Sequence, residues 1–201
     1  MRAFLYSTAV TIAGRLLDVI DRDILPLTEH GVAQGNKVFG AAILRKSDLA
    51  LVIAGTNGET VNPLWHGEVR TLNEFYDLPE RPDTRDLIFL ATHEPCTLCM
   101  SAITWAGFDN FYYLFSHLES RDSFSIPHDL RILGEVFGLE PGGYRHQNAY
   151  WTAYSIPELA ESEAGPLRDE LHEHQQRIRE RYAALSQVYQ ESKSGNDIPL
   201  R

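Results

Sequence analysis

Two cysteines three residues apart, Cys96 and Cys99, with none elsewhere in 201 residues, constrain this chain more than any other feature. With both in one tetrapeptide, a disulfide framework is excluded. Pro95 stands directly before them. A proline suits the first turn of a helix, where its missing N–H costs nothing. In a helix beginning here, residues i and i+3 share a face, so both sulfurs point the same way. The partial positive charge of the helix N-terminus favours thiolate over thiol. Two aligned thiolates lack one or two ligands to close a zinc site. His66, in Trp65-His-Gly-Glu68, is the candidate third.

Glu68 decides what such a site would do. Three protein ligands with a fourth position left to water is the catalytic arrangement, whereas four protein ligands is the structural one. Zinc lowers the pKa of bound water to about 7. A carboxylate beside that water can take its proton and pass it to a substrate nitrogen. The order His66, Glu68, Pro95, Cys96, Cys99 matches the H-x-E…P-C-x-x-C signature of zinc-dependent base deaminases. Two other readings share the C-x-x-C. A redox pair at a helix start leaves His66-Gly-Glu68 unexplained. A structural zinc site with a fourth protein ligand such as His93 would make the chain an interaction module. His172 and His174 form an H-E-H, expected on the solvated face of the last helix.

Composition narrows the partners. The net charge of −10 gives no general attraction to phosphate backbones, so a nucleic-acid substrate is not expected. Leu5, Ala9, Ile12, Leu16, Val19, Ile20 and Ile24 recur at helical spacing, interrupted by Arg15 and Asp18. This predicts an amphipathic helix over about 5–30 rather than a signal peptide. No stretch reaches transmembrane length without charges. Thiolate ligands favour a reducing compartment, and a cytoplasmic protein is expected.

The apolar runs Val38–Leu44 and Leu49–Ala54, joined by polar Arg45–Asp48, predict a hairpin covered on both faces. A helix is expected from His66 to about Tyr76, a strand over 86–92, a helix from Pro95 to Ala106 and a strand over 110–115. Strand–helix–strand of this length implies a right-handed crossover and a parallel pair. Pro127–Phe137 reads as a short helix. Tyr150–Ile156 reads as a last strand or as an extended segment across the active face. A long charged helix is expected over 166–190, with Leu167, Leu171, Ile178, Tyr182, Leu185 and Val188 on one stripe. Residues 1–156 are expected to form the zinc-binding domain. Residues 157–201 would be a helical extension packed on it, ending in a frayed tail.

These residues resemble the cytidine-deaminase-like zinc hydrolases, in particular the nucleobase branch. Phe39-Gly40-Ala41 is similar to the first-strand motif of guanine deaminases, and Asn57 to the asparagine that holds the substrate ring. His66-Gly-Glu-Val69 with Thr71-Leu72 is similar to the helix of fungal cytosine deaminase. Glu94-Pro-Cys-Thr-Leu-Cys99 with Ala102-Ile103 and Trp105 is similar to guanine deaminases. The resemblance covers about residues 37–115. It implies an α/β fold, a three-layer α/β/α sandwich around a mixed sheet of about five strands. It further implies one zinc ion per subunit on His66, Cys96 and Cys99, with Glu68 as the catalytic acid–base. Asn57, Phe39 and Trp105 become the substrate-binding residues. The implied partners are a small aminated heterocycle and a second copy of the chain. The alternatives are a non-catalytic zinc module or a tRNA adenosine deaminase-like enzyme.

Overall fold

The computed structural model describes residues 11–201, so Leu5 and Ala9 of the expected first helix lie outside the described residues. Five strands form one sheet: β1 (Gly40–Arg45), β2 (Leu51–Thr56), β3 (Leu87–His93), β4 (Asn110–Phe115) and β5 (Thr152–Ser155), in the order β2-β1-β3-β4-β5. β1 pairs antiparallel with both β2 and β3, while β3–β4 and β4–β5 are parallel. The sheet is therefore mixed, and the expected hairpin and parallel pair are both present.

Side chains alternate across a strand, and the apolar residues of this chain fill both sides. Ala41, Ile43, Leu87, Phe89, Phe111 and Tyr113 face one layer. There they meet Leu72 and Phe75 of α3 (Gly67–Tyr76) and Met100 and Ile103 of α4 (Thr97–Trp105). Ala42, Leu44, Ile88, Leu90 and Leu114 face the other. That side is covered by α1 (Ile12–Val19), α2 (Leu25–Ala33), α7 (Ile156–Glu161) and α8 (Gly165–Ser192). The result is the three-layer α/β/α sandwich. No described helix is long and apolar enough to cross a membrane.

The first helix is interrupted by a π turn over Ile20–Ile24, where the Leu25 N–H bonds to the Ile20 carbonyl. Pro26 supplies the reason. A proline inside a helix has no N–H to give and crowds the carbonyl four residues back. The wider π turn ends just before it.

Two short helices escaped sequence reading, α5 (His117–Asp122) and α7, although both begin with Ser-x-x-Glu. Ser116 and Glu119 form a reciprocal capping box, and Ser155 accepts from the Glu158 N–H. α6 (His128–Phe137) forms as expected and ends at Gly138, whose φ of +66° suits glycine. Residues 152–155 resolve to an edge strand rather than a segment across the active face. On α8 the stripe shifts. Leu171, Ile178 and Tyr182 are buried, but Val188 is exposed and Tyr189 takes its place in the core. Past α8, Ile198 is buried, and the Asn196 side chain donates to the Gly35 carbonyl.

Candidate active site

Two helix N-termini bring the motif residues together. His66 is the N-cap residue of α3 and Cys96 that of α4, with Cys99 in the first turn. Pro95 thus precedes the cap instead of occupying the first helical turn. The His66 Nδ1 lies 3.4 Å from Cys96 Sγ and 3.6 Å from Cys99 Sγ, and the sulfurs are 3.5 Å apart. Tetrahedral zinc with ordinary bond lengths would need about 3.5 Å between nitrogen and sulfur and about 3.8 Å between sulfurs. The three donors therefore fit one zinc ion per chain. They form a His/Cys/Asp/Glu group with converging ligand atoms among the described residues.

Local chemistry explains why the two halves converge. A Cβ on Gly67 would fall 2.8 Å from the Gly40 Cα and 2.9 Å from the Phe39 carbonyl oxygen. Glycine at 67 lets the first turn of α3 rest directly on the start of β1. His66 provides no side-chain cap, and Asn57 does so from a distance: its Oδ1 accepts from the Gly67 N–H at 2.5 Å. The cysteine loop is pinned through Glu94. Its N–H donates to the Phe115 carbonyl, and its carboxylate accepts from the His117 N–H at 2.8 Å and from the Tyr144 hydroxyl.

Glu68 is buried beside the cluster, its Oε2 accepting from Cys99 Sγ at 3.3 Å. Burial, reinforced by the nearby Cys96, pushes its carboxyl up to about 7. Burial pulls His66 down, but the Cys96 sulfur and the Glu68 and Glu59 carboxylates outweigh it and raise the imidazole to about 9. The adjacent Cys99 side chain, together with His66, holds Cys96 well below the usual thiol range, while burial holds Cys99 well above it. A metal ion would bind the deprotonated ligands, so its binding would release protons from the site.

A cavity of about 360 Å³ opens over His66 and Cys96. That is within the range of small-molecule sites. Phe39 lines it, together with Lys37, Glu59, Asp129 and Leu200. The other two residues expected to bind substrate do not line it. Asn57 is fully buried, with Oδ1 on Gly67 and Nδ2 on Glu59, so its amide is occupied inside the protein. Trp105 closes the far end of α4 and is 91% exposed, away from the cavity walls.

His93 is not a fourth ligand. It is buried against Phe115, with ring centroids 4.6 Å apart, and its Nδ1 lies 3.0 Å from Thr92 Oγ1. His172 and His174 face Glu161 and Asp21 at 3.1 and 3.3 Å. Sequence reading passed over Lys37, Glu59 and Asp129. The only local signal was a lysine abutting an apolar strand, and the residues that meet it are distant in sequence.

Residues 22–115 match the family model of the cytidine and deoxycytidylate deaminase zinc-binding region. The chain is 29% identical over 87 residues to a guanine deaminase of Bacillus subtilis, covering 42% of this chain and 54% of the relative. It is 29% identical over 91 residues to a tRNA-specific adenosine deaminase of Rickettsia felis, covering 43% and 63%. The chain thus spans between half and two thirds of the length of these relatives. An X-ray structure of the Bacillus subtilis guanine deaminase covers 51% of this chain and 69% of its own, with a TM-score of 0.43 and 29% identity. The matched stretch contains His66, Glu68, Cys96 and Cys99, the residues whose geometry fits zinc. By that match and that geometry, residues 22–115 are similar to the zinc-binding region of cytidine and deoxycytidylate deaminases.

Proposed function

We propose that this protein is a zinc-dependent hydrolytic deaminase that removes an exocyclic amine from a nucleobase or related aminated heterocycle and releases ammonia. The observation that carries the reading is the buried Glu68 carboxylate 3.3 Å from the Cys99 sulfur, beside the His66 and Cys96 that line a small-molecule cavity. Zinc in the three-ligand site supplies Lewis acidity that makes water a competent nucleophile at neutral pH. Glu68 takes a proton from the attacking water and delivers it to a ring nitrogen. It then takes the proton of the newly formed C–OH and gives it to the departing amine, so that water and the C–NH₂ group become a carbonyl and ammonia. Phe39 offers an aromatic edge on which a flat ring can rest.

The second reading, deamination of an adenosine in tRNA, is favoured by the 29% identity to the Rickettsia relative. A net charge of −10 and carboxylates of Glu59 and Asp129 in the cavity walls weigh against a phosphate backbone there. The reading also carries a homodimer, with Trp105 as apolar surface to cover, and a cytoplasmic setting that keeps the thiols reduced.

The test is an ammonia-release screen over guanine, cytosine, aminotriazines, aminopteridines, nucleosides and a tRNA anticodon arm, with and without a zinc chelator. Chelator-sensitive release from a free base or heterocycle is expected. Release from the tRNA arm alone would transfer the assignment to the second reading. Sedimentation as a monomer would remove the dimer.

A further inference from the structure

We infer that Glu59 is a positioning residue for the metal site, its carboxylate orienting the His66 imidazole through the ring nitrogen that faces away from the sulfurs. The inference rests on the zinc-binding part of the reading above and not on the reaction. His66 turns Nδ1 toward both cysteines, at 3.4 and 3.6 Å. Its Nε2 is left with Glu59 Oε1 at 3.8 Å, a charge contact and not yet a hydrogen bond. A metal-ligating histidine nearly always gives its second ring N–H to a carboxylate, carbonyl or water, which fixes tautomer and ring orientation.

Glu59 is built to be that fixed partner. It is 4% exposed, and both of its oxygens are held: Oε1 accepts from Lys37 Nζ at 2.7 Å and Oε2 from Asn57 Nδ2 at 2.5 Å. Each carboxylate oxygen has two lone pairs, so Oε1 retains one for the imidazole. Asn57 also holds the Gly67 N–H, so the carboxylate is tied to the same helix start that presents His66. Stability does not account for the arrangement. A buried lysine–glutamate pair costs so much desolvation that apolar replacements are often as stable. Placing such a pair against a metal ligand is explained when the carboxylate serves the ligand and the lysine helps to hold the carboxylate in place.

The experiment compares Lys37→Met with the double variant Lys37→Met/Glu59→Gln. The single variant keeps the carboxylate, and the double variant keeps its shape and the Asn57 bond but removes the charge. Zinc affinity is measured by chelator competition, and thermal unfolding of each metal-free protein is recorded alongside. The double variant is expected to bind zinc roughly 10- to 100-fold more weakly than the single one. The metal-free unfolding midpoint of the double variant should be no lower than that of the single one, which leaves a buried carboxylate without its lysine. Equal zinc affinity in the two variants overturns the inference. So does an affinity loss that tracks a fall in metal-free stability, because Glu59 would then serve folding alone. A silent substrate screen with the affinity difference intact would sink the deaminase reading and leave this one standing.

Discussion

The two faces of the sheet are covered in different ways. The α3/α4 side packs its helices on an apolar cluster and also fixes their starts by directional contacts: Gly67 pressed on Gly40, Asn57 capping α3, Glu94 tying the cysteine loop to β4 and Tyr144. The opposite side holds its helices along their lengths, with Leu16, Leu17, Ile20, Ile24, Ile178 and Tyr182 in one apolar cluster. Directional polar contacts fix the position of a ligand atom to tenths of an ångström, while apolar burial supplies free energy without direction. The contrast assigns chemistry to one face and stability to the other.

The sharpest way to break that assignment is Glu68→Gln. We expect a loss of about 10²–10⁴-fold in rate with zinc content unchanged, as for removal of a general acid–base. Turnover near the wild-type rate, on any substrate the wild type accepts, would remove Glu68 from the mechanism. On the opposite face, Ile178→Ala should cost about 2–5 kcal/mol of stability in a denaturant titration while leaving zinc affinity alone. If zinc affinity fell with it, the two faces would not be separable.

His93 offers a gentler probe of the same face. Burial first, and the charge of Arg179 second, hold its folded-state pKa well below 6.5. The folded protein keeps this ring neutral while the unfolded chain protonates it. The contribution of His93 is therefore complete above about pH 6.5 and falls by up to about 1.4 kcal/mol per unit below it. Stability curves of wild type and His93→Gln should differ in slope between pH 6.5 and 5; parallel curves would mean that the ring is not buried neutral. The smallest effect is expected at the cavity wall. Leu200→Ala should raise KM about fourfold with kcat unchanged, because the half-exposed side chain loses about one methylene's worth of buried contact, roughly 0.8 kcal/mol. An unchanged KM would place the substrate away from the tail.

Legibility followed the same division. His66, Cys96 and Cys99 could be read because a helix start fixes where residues one to three positions away must point. The sheet could be read because β1 and β3 are apolar on both faces, which only a doubly covered strand tolerates. The π turn and both Ser-x-x-Glu caps were available in the sequence, at Pro26, Ser116 and Ser155, and were missed as weak local signals. Asn57 and Trp105 lie apart from the cavity walls for another reason. Asn57 was read as facing the ring, but the backbone N–H of Gly67 and the carboxylate of Glu59 took its amide. Trp105 shares a helix with the ligands, yet a nine-residue helix carries its last side chain far from its first.

The sequence by itself determined the metal chemistry and the layer order, because ligand spacing and strand patterning act over a few residues. Only the tertiary structure decided what surrounds the metal. Lys37, Glu59, Asp129 and Leu200 come from four separate segments, and no periodicity links residues that meet only after the chain has folded back on itself.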